Sequence, residues 1–131
     1  RFEISVNGEG GYQLFVWQNQ NLISASGVQI NPASSTNEYP APWSSACPLD
    51  FQGCYGYHTG DDSLSNIGLG PARFAPDDSF AGFETQMKEI GFNPHPVLNE
   101  VFDIIFRIEV RNLQPASVYQ TQLTYVIVPT F

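Results

Sequence analysis

Glu100-Val101-Phe102-Asp103-Ile104-Ile105-Phe106-Arg107-Ile108-Glu109-Val110-Arg111-Asn112 is the stretch that decides the fold. Phe102, Ile104, Phe106, Ile108 and Val110 alternate with Asp103, Ile105, Arg107, Glu109 and Arg111. A period of two sends alternate side chains to opposite faces of a strand, so the even-numbered residues are expected to face a core. Leu113-Gln114-Pro115-Ala116 has turn chemistry, and Val118 to Val128 is a second long run rich in β-branched and aromatic residues. The two runs predict a long antiparallel hairpin, with Phe106 and Ile108 among the residues whose loss would damage the core most.

The same period recurs toward the N-terminus. Phe2, Ile4 and Val6 alternate with Arg1, Glu3 and Ser5, and Tyr12, Leu14 and Val16 with Gln13, Phe15 and Trp17. Asn7-Gly8-Glu9-Gly10-Gly11 between them reads as a turn, predicting a second hairpin. Leu22 to Ile30 holds two short strands around Ser26-Gly27. Asn31 to Gln52 is a long loop rich in Pro, Ser, Asn and Ala, and long ordered loops often carry function. Cys54 to Thr59 is a short aromatic strand. Arg73-Phe74-Ala75 and Phe80 to Phe83 predict short irregular strands; Glu84 to Ile90 reads as one helical turn or a strand, and the strand is favoured because only Met87 and Ile90 would face a core. Ten prolines, eleven glycines and no sustained helical period complete an all-β reading. Residues 1–131 fit one domain, and two packed antiparallel sheets are the expected architecture.

Charge narrows the function. Thirteen acids against five bases give a net charge of −8. Arg73, Arg107 and Arg111 are scattered and Lys88 is the sole lysine, so neither nucleic acid nor an anionic membrane is an expected partner. No run approaches the ~20 apolar residues of a membrane span. Charged residues make up 14% of the chain, below the usual quarter or so, which leaves solvation largely to Ser, Thr, Asn and Gln. That balance suits an extracellular β-protein. The chain opens directly on strand-like sequence and is read as a mature form whose leader has been removed.

Cys47 and Cys54 are a close pair in a loop-like stretch, which reads as a local disulfide formed in an oxidising compartment. Half a metal site is the rival, but no second pair follows at zinc spacing. His58 and His95 are the only histidines, and neither accompanies a nucleophile motif. Asp61-Asp62 and Asp77-Asp78 suit solvated turns better than a glycosidase pair, and are weak calcium candidates without an EF-hand spacing. No cofactor is called for. Tyr39, Trp43, Phe51, Tyr55 and Tyr57 gather around the long loop and the cysteines. Exposed, Tyr39, Trp43, Tyr55 and Tyr57 would form a stacking surface for glycans or a protein hot spot; buried, they would be a satellite core beneath the loop.

Three stretches together resemble a known group: Ser5-Val6-Asn7-Gly8-Glu9-Gly10-Gly11-Tyr12; Gly53-Cys54-Tyr55-Gly56-Tyr57-His58-Thr59 with Asp61-Asp62-Ser63-Leu64; and Ile108 to Ala116 leading into Tyr119 to Tyr125. They are similar to exported Ig-like β-sandwich domains of bacterial surface proteins, in candidate-phylum and Gram-positive bacteria, and to the wider WxL-like and pilin-like group. The WxL motif itself is absent. The resemblance implies export, a cell-surface or extracellular role and no enzymatic activity. It carries no functional residue across, because the matching positions are turns and strand ends.

The resulting expectation is a structural subunit of a pilus, filament or surface-layer-like assembly. Phe2, Ile4 and Val6 are the candidate assembly strand, added to a neighbouring copy's sheet. A carbohydrate-binding or adhesive module, with glycans or cell-surface ligands on the Tyr39–Tyr57 aromatics, is the alternative.

Overall fold

The computed structural model describes residues 1–48, 53–61, 64 and 72–131. Among the described residues twelve strands and one short helix follow in order: β1 (Phe2–Val6), β2 (Tyr12–Gln18), β3 (Leu22–Ser24), β4 (Gln29–Pro32), β5 (Ala41–Pro42), α1 (Trp43–Ala46), β6 (Gly53–Thr59), β7 (Ser79–Phe80), β8 (Lys88–Asn93), β9 (Val97–Phe102), β10 (Ile104–Val110), β11 (Tyr119–Gln120) and β12 (Leu123–Pro129). The fold is all-β with a Cys47–Cys54 disulfide, as expected.

The largest sheet runs β10-β6-β4-β3-β11 and the next β12-β2-β8; β1 pairs with β9 and β5 with β7. One hydrophobic core draws on both larger sheets, with Leu14, Val16 and Ile90 from one and Ile30, Tyr55 and Tyr57 from the other. Phe74, Phe83 and Phe102 fill between them, with Phe83 4.7 Å from the Tyr57 ring centre. β2 shows why its sequence makes a strand here: Tyr12, Leu14 and Val16 are buried, while Phe15 and Trp17 on the other face are half-buried. Not every pairing is antiparallel, because β4 runs parallel to β6. A parallel pair needs a long crossover. The segment that leaves β4 at Ala33 and carries β5 and α1 supplies it.

Both expected hairpins are replaced by longer-range pairings. β1 pairs with β9 rather than β2, with Phe2 opposite Phe102 and Ile4 opposite Glu100. The Asn7–Gly11 segment instead hands the chain to the other sheet. Gly11 sits at φ 74°, a left-handed conformation that glycine adopts without strain, and the Gly10 N–H donates to the Thr130 carbonyl at 3.1 Å. At the C-terminal end β10 pairs with β6 and β12 with β2. The Leu113–Ala116 turn does not double the chain back, because its glutamine anchors elsewhere. Gln114 is buried, its Nε2 donating to the Tyr119 hydroxyl (2.7 Å) and the Gln29 carbonyl (3.3 Å), and Tyr119 donates to the Pro115 carbonyl at 2.7 Å. That clasp directs β11 onto β3.

The single strand expected over 100–112 is two, β9 and β10, parted at Asp103, whose carboxylate accepts the Arg1 guanidinium at 3.1 and 3.2 Å. Phe74 lies in a turn rather than a strand yet is fully buried. Met87 is exposed while Ile90 is fully buried, so only one of that pair faces the core.

Candidate functional site

The aromatic loop forms a satellite core. Trp43 and Ala46 of α1 pack with Ala33, Cys47, Cys54 and Phe80, and the Trp43 and Phe80 rings meet edge to face at 5.2 Å. Tyr55 and Tyr57 are buried in the main core: Tyr55 Oη donates to Gln18 Oε1 at 2.5 Å, and Asn37 Nδ2 donates to Tyr57 Oη at 2.8 Å. Of the four aromatics in the candidate stacking surface only Tyr39 is exposed, and the buried alternative holds for Trp43, Tyr55 and Tyr57. The reason is the loop's own order, since its side chains have a floor of β6 and β7 to cover. Phe51 lies outside the described residues.

The acidic turns do not converge. Asp61 is buried, with Oδ2 accepting the Phe92 N–H at 2.7 Å, while Asp78 lies beside Arg107 at 3.8 Å and Asp77 is exposed. Asp62 lies outside the described residues. Among the described residues no three His, Cys, Asp or Glu side chains gather to hold a metal. His58 is buried with Nδ1 2.9 Å from the Ser79 carbonyl, and His95 sits on an exposed bend. Lys88 is held by Glu38 at 2.5 Å and Glu84 at 3.2 Å.

Phe2, Ile4 and Val6 are engaged within the chain itself. Ile4 is buried, and the Phe2 ring lies 5.6 Å from Phe102 and 5.2 Å from Tyr125. β1 is therefore already paired and packed, and is not a free donor strand in this conformation.

The unsatisfied surface lies at β10. This strand ends the five-stranded sheet, and among the described residues it pairs with β6 alone. Phe106 and Ile108, expected in the core, are 57% and 55% exposed, and Ile105 and Val110 are exposed with them. Alternation distinguishes two faces of a strand but does not supply a layer to cover either. Here three strands oppose five, and β10 is left at the margin. A cleft of about 200 Å³ opens beneath it, lined by Leu22, Tyr55, Phe83, Phe106, Ile108 and Leu123.

Backbone direction along β10 follows from its neighbour. The Asp103 carbonyl accepts Gly60 N–H at 2.8 Å, whereas Tyr57, opposite Phe106, exchanges its backbone bonds with Ala81 on its other side (2.8 and 2.9 Å). In an antiparallel ladder the bonded pairs alternate. Ile105, Arg107 and Glu109 therefore aim their N–H and C=O groups at β6. Ile104, Phe106, Ile108 and Val110 aim theirs at the open edge.

The opposite face of β10 is polar and anchored. Arg107 lies over the Trp43 ring at 4.7 Å and the Phe80 ring at 5.4 Å. Glu109 accepts Trp43 Nε1–H at 2.8 Å and the Arg111 guanidinium at 2.6 Å. The Trp43 hydrogen bond, then Arg111, holds the Glu109 carboxyl below the ordinary carboxylate range. Sequence reading placed Arg107 and Glu109 on the right face but did not connect them to Trp43, a contact no local pattern encodes. One signal for the open edge was present: Ile105 breaks the alternation, making both faces of β10 apolar at that point.

No protein-family model, curated protein or solved structure matches this chain.

Proposed function

We propose that this protein is a non-enzymatic extracellular structural subunit that associates with copies of itself through open sheet edges. The observation that carries the reading is the β10 edge: four large apolar residues more than half exposed on a strand with one side unpaired. Soluble monomers blunt such edges with lysines, prolines or bulges. Ile104–Val110 contains no lysine or proline, and its register with β6 is continuous. The sole lysine of the chain is spent on Glu38 and Glu84.

Export is supported by the disulfide, which persists in oxidising compartments, and by the low proportion of charged residues. No helix is long and apolar enough to cross a membrane among the described residues. An Ig-like sandwich is the fold reading that accommodates two sheets over a shared core, with the parallel β4–β6 pair as a local departure. A glycan-binding role loses its platform with Trp43, Tyr55 and Tyr57 buried.

Sedimentation velocity across a range of protein concentrations, with electron microscopy of the same samples, tests the reading. Assembly that grows with concentration is expected. A sharp monomer boundary throughout, with no particles by microscopy, overturns it.

A further inference from the structure

We infer that the occupant of the β10 edge is β10 of a second copy, joined antiparallel about a two-fold axis through Ile108. This rests on the reading of β10 as an assembly edge and adds its partner and register.

Three observations fix the geometry. First, the groups offered at the open edge belong to Ile104, Phe106, Ile108 and Val110, so a bonded antiparallel partner must match even-numbered residues with even-numbered residues. Second, the strand's charges alternate in sign, with Arg107, Glu109 and Arg111 in sequence on one face. Third, Phe106, Ile108 and Val110 share the other face.

Centring the two-fold on Ile108 satisfies all three. Arg107 then lies opposite Glu109 of the second copy, and Glu109 opposite its Arg107. Phe106 meets Val110, Ile108 meets itself, and Val110 meets Phe106. Three bonded pairs each exchange two backbone hydrogen bonds, about six in all. A two-fold axis perpendicular to the sheet keeps like faces together, so six apolar side chains form one continuous stripe. Directly opposed side chains in such a pair are close enough to interact.

Competing registers fail on the same grounds. Centring on Arg107 or Glu109 sets like charges against each other. Centring on Phe106 puts Arg107 opposite Ile105 and forfeits both ion pairs. Centring on Val110 runs beyond the end of the strand. The interface is isologous and closed, so a filament would be built from such dimers through a second surface.

Charge exchange and crosslinking test the register. Arg107→Glu and Glu109→Arg each turn two symmetric attractions into repulsions, and each is expected to weaken self-association by about tenfold. Mixing the two variants restores both pairs, so the mixture associates as the parent does. Ile108→Cys places two thiols at Cα positions about 5.5 Å apart, within disulfide range. Mild oxidation or a short bismaleimide is expected to give a dimer, mapped by peptide mass. Phe106→Cys crosslinks to itself only in a register centred on residue 106. Because Arg107 and Glu109 both contact Trp43, the fold of each variant is established by far-UV circular dichroism and a cooperative urea transition rather than by tryptophan emission. Assembly that is indifferent to both charge variants, or that crosslinks through 106 and not 108, overturns the register while leaving the edge reading intact. A parent that is monomeric, with no crosslink at either position, overturns both.

Discussion

The indole Nε1–H of Trp43 donates to the carboxylate of Glu109 over 2.8 Å, tying the long crossover to the edge strand. Because this bond depresses the Glu109 pKa, ionised Glu109 favours the folded state. A depressed folded pKa contributes stability that is present above the unfolded value and lost as pH falls through the folded one. Acid titration should therefore change Trp43 emission at a pH below the ordinary glutamate range. Glu109→Gln should abolish that step. An unchanged titration in the variant would show that the bond is not what the fluorescence reports.

Cys47 and Cys54 lie 5.9 Å apart at Cα and close a small ring. Loss of the crosslink through Cys47→Ala with Cys54→Ala should cost about 2–3 kcal/mol by the loop-entropy argument. Urea midpoints of parent and double variant measure it. Intact mass after alkylation, with and without reductant, checks the bond directly, since two freely alkylated thiols in the native parent would contradict it.

Asn37 organises a buried polar cluster. Its Nδ2 serves Tyr57 Oη and the Glu89 carbonyl, both at 2.8 Å, while its carbonyl and Oδ1 each take a guanidinium nitrogen of Arg73 at 2.8 Å. Asn37→Ala strands several of these groups at about 1–3 kcal/mol each. A loss larger than that of the disulfide variant is expected from thermal melts; a loss below about 1 kcal/mol would mean the cluster rearranges or hydrates.

Gly56 is closed to any side chain. A Cβ there would stand 2.5 Å from the Ala81 carbonyl oxygen, a backbone atom that cannot swing aside. Gly56→Ala should destabilise by about 1–3 kcal/mol or fail to fold, whereas Gly27→Ala, with open space around it, should cost only the strain of its positive φ. Denaturation midpoints that rank the two the other way would refute this packing.

Phe106→Ala removes a ring that is more than half exposed and stacked 5.9 Å from Phe83. Its stability cost should be about 0.5–1.5 kcal/mol, an aromatic pair rather than a core cavity. Its effect on association should be the larger one. Comparing urea midpoints with sedimentation separates the two.

How far the sequence was legible follows from what its signals encode. β1, β2, β3, β4 and β6 lie where local alternation and turn chemistry put them, because those signals are local. Partners were not legible, because pairing β1 with β9 or β12 with β2 depends on where distant segments travel. Gln114 shows the difficulty: a turn residue by composition, it becomes a buried clasp only once Tyr119 and Gln29 are beside it. The cysteine pair was legible from spacing. The exposure of Phe106 and Ile108 was not, because apolar alternation carries no record of whether a second layer reaches that far.

The distant partnering of β1 and β2 sets the order of events as the chain is made. Among the described strands, β1 finds its partner only at β9 (Val97–Phe102), and β2 waits for β8 (Lys88–Asn93) and β12 (Leu123–Pro129). Residues 1–18 thus stay without their strand partners, with Phe2, Ile4, Leu14 and Val16 uncovered, until the chain has emerged as far as Lys88 and beyond. Topology of this kind folds in milliseconds to seconds rather than microseconds. Such a chain remains threadable for a long interval, and is open throughout that interval to capture by a holdase or by its own neighbours.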